Sequence, residues 1–124
     1  AGVASGARAA GDYQTTYTIG ERLVEVYREL GDLHSLGIVI MIQGEMAIGL
    51  GQYNTAHLLL EESLTLAREA GDKYRIALTL NDLGDLARCE RHFAQAHSTY
   101  EESLSLLREL GAAREIPATQ HNLA

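Results

Sequence analysis

Residues 36–50 read "LGIVIMIQGEMAIGL", fifteen residues with a single charge, Glu45. A membrane-spanning helix needs about 20 consecutive apolar residues. Asp32 and His34 precede this run and Gln52 and Asn54 follow it, so it is too short to span. The β-branched residues Ile38, Val39, Ile40 and Ile42 favour a strand, yet a short apolar run cannot be assigned by periodicity alone. Its register with the rest of the chain has to decide.

That register is a repeat. "GDY" at 11–13 returns as "GQY" at 51–53 and "RHF" at 91–93, while "ERLV" at 21–24 becomes "EESL" at 61–64 and again at 101–104. "RELGD" at 28–32 becomes "REAGD" at 68–72 and "RELGA" at 108–112, and "QGEMA" at 43–47 returns as "LGDLA" at 83–87. Every offset is forty residues, which divides the chain into units 1–40, 41–80 and 81–120, with the start of a fourth at 121–124.

Each unit is punctuated as two helices. Gly31, Gly71 and Gly111 close amphipathic runs, as a C-terminal glycine cap does, and Asp32 and Asp72 stand where an N-cap oxygen meets free amides. Gly11 and Gly51 mark a second break, with Asp12 as the following cap in the first unit. Tyr53, Ala56, Leu60, Leu64, Ala67 and Ala70 keep helical spacing, as do Phe93, Ala96, Tyr100, Leu104, Leu107 and Leu110 one unit later. Residues 36–50 align with "IALTLNDLGDLARCE" at 76–90, where Ile76, Leu80, Leu83 and Ala87 have helical spacing among charged neighbours. The opening stretch is therefore expected to be the first helix of the second unit, although its sister is amphipathic and it is not.

The composition agrees with a folded soluble chain: 124 residues, 46% hydrophobic and 22% charged, with one proline, Pro117. A net charge of -7 with ten scattered Lys and Arg argues against a nucleic-acid surface, which needs clustered cations. One cysteine, Cys89, cannot form an internal disulfide, and no targeting segment is visible, so the expected location is the cytoplasm. The chain opens with Ala-Gly, as a piece of a larger protein would.

In these motifs the chain resembles the tetratricopeptide repeat in its forty-residue form. The Leu-Gly pair of the family's first helix is matched by Leu83 and Gly84, and by Gln43 and Gly44 at the glycine. Small residues ahead of the break match Ala7, Ala47 and Ala87, the aromatic that opens the second helix matches Tyr13, Tyr53 and Phe93, and the following alanine matches Ala56 and Ala96, with Thr16 departing. The proline that closes the thirty-four-residue form is replaced by Arg28, Arg68 and Arg108. The resemblance implies an all-α fold, a right-handed superhelical solenoid of antiparallel helix pairs. It also implies the context of bacterial signal-responsive transcriptional regulators or of animal polarity and G-protein scaffolds, and hence roles in signal transduction or transcription regulation.

The resemblance further implies a concave groove lined by Ile38, Met41, Glu45 and Ile48 in the second unit and by Leu78, Asn81, Asp85, Arg88 and Cys89 in the third. Such a groove has an apolar floor and charged rim, suited to an amphipathic helix or extended peptide with a basic residue. The expected function is a noncatalytic protein-interaction module that takes a protein or peptide partner. The alternatives are a small-ligand sensor of a transcriptional activator and a purely architectural segment. No membrane contact, cofactor, metal or catalytic residue is expected. With no polar capping helix read at either end, self-association by end-to-end stacking or by exchange of terminal helices is expected.

The remaining chemical motifs are sparse. "GLG" at 49–51 lacks the rest of a phosphate loop and reads as a helix end. Cys89 and His92 have ligand-like spacing but need two more ligands, and His97 falls off that helical face, so Cys89 reads as a small, partly buried side chain. His57 and His97 are equivalent by duplication, with no carboxylate partner specified by the sequence. Glu61, Glu62, Glu101 and Glu102 lie early in helices, where negative charge suits the helix dipole.

Overall fold

The structure, a computed structural model, describes residues 5–111, with side chains from residue 12 onward. Residues 1–4 and 112–124, including Pro117 and the start of the fourth unit, lie outside the described residues, as does the side chain of Ala7. Five helices follow one another: α1 (Ser5–Leu30), α2 (Leu33–Gly49), α3 (Tyr53–Ala70), α4 (Lys73–Cys89) and α5 (Phe93–Glu109). Short turns make each helix antiparallel to the next. The chain divides into two compact units, 1–63 and 64–124, with the division inside α3.

The stretch at 36–50 is helical: it forms most of α2. Leu36, Ile40, Gly44 and Ala47, spaced by four, four and three residues, are buried on one face. Packing of that face against α1 and α3 outweighs the strand preference of its β-branched residues, because propensity is a small term beside burial of several large side chains.

The turns follow the glycine and aspartate punctuation. At the end of α2, Gln52 donates its amide to the Ala47 carbonyl (2.9 Å) and Gly51 donates to Ile48 (3.0 Å), a Schellman closure with Gly51 at φ 74°. At the start of α2 the Ser35 amide donates to Asp32 Oδ1 (3.1 Å), and at the start of α4 the Arg75 amide donates to Asp72 Oδ1 (3.1 Å). The same turn after α4 puts Arg91, where the repeat had glycine at 51, at φ 66°. A side chain in the left-handed region crowds its own carbonyl, so this position is strained.

One expected break is absent. The backbone stays helical through Gly11, so α1 runs unbroken for 26 residues. Glycine permits a turn without imposing one. Across the turns at Gly51 and Arg91, two helices close on each other through large apolar side chains. The stretch before Gly11, "AGVASGARAA", is mostly alanine, glycine and serine, with little to bury by folding back and strong local helix preference at its alanines.

Within each unit the first and second helices of a pair touch through a glycine. A Cβ built on Gly44 would lie 2.6 Å from the Leu60 side chain, and one on Gly84 would lie 2.7 Å from the Tyr100 ring. The same packing brings Ser63 Oγ to the Gly37 carbonyl (3.4 Å) and Ser103 Oγ to the Ala77 carbonyl (2.7 Å), where each serine donates. Leu60 and Tyr100 are buried, so neither can swing clear.

Two stability changes follow from this packing. Gly84→Ala is expected to destabilise by about 1–3 kcal/mol through overpacking against Tyr100, read as a lower urea midpoint with retained helicity. Arg91→Gly is expected to stabilise by up to about 1 kcal/mol, since it relieves left-handed strain at some cost in unfolded-chain entropy.

Candidate functional site

The faces of α2 explain why it is apolar all round. One face, with Leu36, Ile40, Gly44 and Ala47, is core. A second, Val39, Ile42 and Met46, borders a cleft with α1. A third carries Ile38, Met41, Glu45 and Ile48 at spacings of three, four and three residues, and all four are half-buried. On α4 the positions forty residues on from the cleft face are Thr79, Asp82 and Leu86, which are buried. The two helices therefore share a register while distributing polarity differently.

Of the residues expected to bind a partner, Ile38, Met41, Glu45 and Ile48 lie together on α2 in the first unit. Leu78, Asn81, Asp85, Arg88 and Cys89 lie together on α4 in the second, the first three half-buried and the last two exposed. Cys89 is the last residue of α4 and is exposed, which corrects its expected partial burial: the helix ends before a neighbour covers it.

Asp85 is organised by its neighbours. It accepts a hydrogen bond from the Tyr100 hydroxyl and pairs with Arg88 Nη2 at 3.4 Å. Burial pushes the Tyr100 hydroxyl above its ordinary pKa, and donation to the Asp85 carboxylate with its negative charge pushes further in the same direction. Tyr100 thereby joins the floor beneath Gly84 to the polar edge of α4. Sequence spacing alone did not pair residues 85 and 100, because they meet only across the helix pair.

His97 has the carboxylate neighbour that was not expected: its Nε2 lies 2.8 Å from Glu101, one helical turn on in α5, with both side chains exposed. The i,i+4 spacing was the available signal. The Lys73–Glu109 (2.8 Å) and Arg28–Glu62 (2.6 Å) pairs tie helices of the second and first units respectively, and are largely exposed. Solvent screening leaves such pairs only a small share of stability. Among the described residues, no three His, Cys, Asp or Glu side chains gather as a metal site, and no helix is long and apolar enough to cross a membrane.

The cleft between α1 and α2 was not foreseen. It has a volume of about 220 Å³ and is lined by Thr16, Ile19, Gly20 and Leu23 of α1 with Val39, Ile42, Gln43 and Met46 of α2. At its floor Gln43 Nε2 donates to the Tyr17 carbonyl (3.1 Å), which satisfies the one buried amide there.

The family model of the tetratricopeptide repeat matches residues 40–109. No curated protein matches the chain.

The Tyr100–Asp85 contact predicts a pH dependence. In the unfolded chain tyrosine loses its proton near pH 10, whereas folded Tyr100 keeps it to higher pH. Above that point the unfolded state binds fewer protons, so stability conferred by this group is complete at lower pH and falls as pH rises. Tyr100→Phe is expected to cost about 1–2 kcal/mol near neutrality and to flatten the alkaline decline, measured by urea unfolding across the alkaline range.

Proposed function

We propose that this chain, which belongs to the tetratricopeptide repeat family, binds a basic amphipathic peptide or helix of a partner protein through the exposed faces of its first helices. The observation that carries this reading is the α2 face of Ile38, Met41, Glu45 and Ile48. It offers three half-buried apolar side chains around one carboxylate, on a helix whose opposite face is fixed in a core. The family generally supplies protein-interaction modules, and this face has the chemistry for such a role.

The apolar residues would take up apolar anchors spaced along a helix, and methionine adapts to irregular shapes better than branched side chains do. Glu45 and the chain's net charge of -7 select for a cationic partner and speed its approach. In the second unit the same register on α4 assigns Leu78, Asn81, Asp85 and Arg88 to partner contact, with Cys89 next to them at the helix end. Asp85 is held there by Tyr100, and Arg88 beside it would repel misplaced cations. The reading involves no catalysis, and it places the chain within a regulatory or scaffold protein, where a bound segment is reported to attached domains.

A displayed library of helical peptides, selected on the intact chain, tests this. Selected binders are expected to carry Leu, Ile or Met at helical spacing with at least one Lys or Arg. Met41→Gln combined with Ile48→Gln is expected to weaken them at least tenfold, roughly 1.4 kcal/mol, with the unfolding midpoint little changed. Binders of neutral or acidic character, or binders indifferent to both substitutions, would overturn the reading.

A further inference from the structure

Asp85 stands at the edge of α4 with its side chain 32% exposed, and its two carboxylate oxygens are not equivalent. Oδ1 accepts the Tyr100 hydroxyl and also faces Arg88 Nη2 at 3.4 Å. Oδ2 takes part in neither contact. It is the oxygen left to a group arriving from outside.

The two donors on Oδ1 are held with different firmness. Tyr100 is buried, and its ring lies so near Gly84 that a Cβ there would sit 2.7 Å from it. A ring packed this closely keeps its hydroxyl in place. Arg88 has a long contact and a side chain 57% exposed, so it is free to move aside. With Tyr100 on one lone pair of Oδ1 and Arg88 on the other, a third donor finds no acceptor there.

This asymmetry separates the two cations a peptide can offer. Arginine binds a carboxylate best as a fork, with two parallel N–H donors reaching both oxygens, and the second hydrogen bond is its advantage. At Asp85 the fork meets an occupied Oδ1. It has to displace Arg88, and then gains there only what that guanidinium gives up. Lysine needs one oxygen: its ammonium is a compact charge on a flexible stem, and it settles end-on at Oδ2 while Tyr100 and Arg88 keep Oδ1. In the first unit the positions forty residues earlier are Glu45 and Leu60, and leucine has no hydroxyl to oppose a fork.

We propose that Asp85 takes a lysine of the bound peptide in preference to an arginine, and that Tyr100, buried beneath it, is the residue that sets the preference. The proposal rests on peptide binding by the first helices and adds the identity of the cation met by the second unit. Leu78, half-buried on the same face of α4 seven residues earlier, lies roughly 10 Å away along the helix. A helical peptide running along α4 meets both with an apolar anchor and a lysine about two turns apart.

Basic helical peptides that bind the intact chain, drawn from the displayed library, are measured against Asp85→Asn by fluorescence anisotropy to find those that lose affinity. Double-mutant cycles with Gln-substituted peptides then locate the cation coupled to Asp85. Each peptide is made with Lys or with Arg at that position, and the ratio of the two Kd values is the readout. On the unaltered chain the lysine form is expected to bind about threefold tighter or better. In Tyr100→Phe, where Oδ1 loses its buried donor, the preference is expected to vanish or invert. A ratio of affinities is insensitive to a uniform loss of folded chain, so a purely structural role for Tyr100 leaves it unchanged. If Tyr100→Phe loses helical circular dichroism, Asp85→Glu replaces it: the longer side chain carries the carboxylate past the hydroxyl, and the same change in ratio is expected.

Arginine forms that bind the unaltered chain as well as lysine forms overturn the proposal, as does a ratio that the deciding variant leaves unchanged. Basic peptides that depend on Met41 and Ile48 but never on Asp85 also overturn it, while leaving peptide binding by the first helices intact. Binders of neutral or acidic character overturn both.

Discussion

The contact on which both units depend is a helix crossing too close for any side chain on one partner. Gly44 meets Leu60 and Gly84 meets Tyr100 at separations that a Cβ would violate. Because the backbones come this near, Ser63 and Ser103 reach carbonyls of the facing helix, and the small residues Ala47, Ala56, Ala87 and Ala96 close the remaining space. The core therefore combines large side chains such as Leu36, Ile40, Leu60, Leu86 and Tyr100 with small residues at the points of closest approach. Close packing of this kind resists changes of even one methyl group.

That proximity also positions the chemistry. Tyr100 lies against Gly84 with its ring buried, and its hydroxyl emerges at Asp85 on the edge of α4. A packing residue in this way becomes a hydrogen-bond donor to the polar face, so stability of the second unit and orientation of its carboxylate are coupled. In the first unit the corresponding position is Leu60, which has no such donor, and Glu45 takes the place of Asp85. The outer face of α2 is consequently apolar around one carboxylate, and that of α4 is polar and internally paired.

The helix that was hardest to assign is the one with the most faces to serve. α2 packs its buried stripe in the core, offers Val39, Ile42 and Met46 to the cleft with α1, and presents Ile38, Met41 and Ile48 on its remaining side. Its lack of amphipathicity reflects three apolar surfaces instead of one, which periodicity averages into none. α4, whose cleft positions Thr79 and Asp82 are covered, keeps an ordinary pattern and is easily read as a helix.

The sequence by itself determined the helical class and the glycine-closed turns with their aspartate caps. All of these depend on residues within a turn or two, or on a repeat visible at fixed spacing. Only the tertiary structure decided that α1 runs straight through Gly11, that Arg91 adopts the strained turn conformation and that Tyr100 holds Asp85. It likewise decided that Cys89 is exposed and that an apolar cleft opens beside α2. These depend on which surfaces meet across helices. A glycine at a break position permits a turn, but whether the chain turns depends on the apolar area the returning segment would bury.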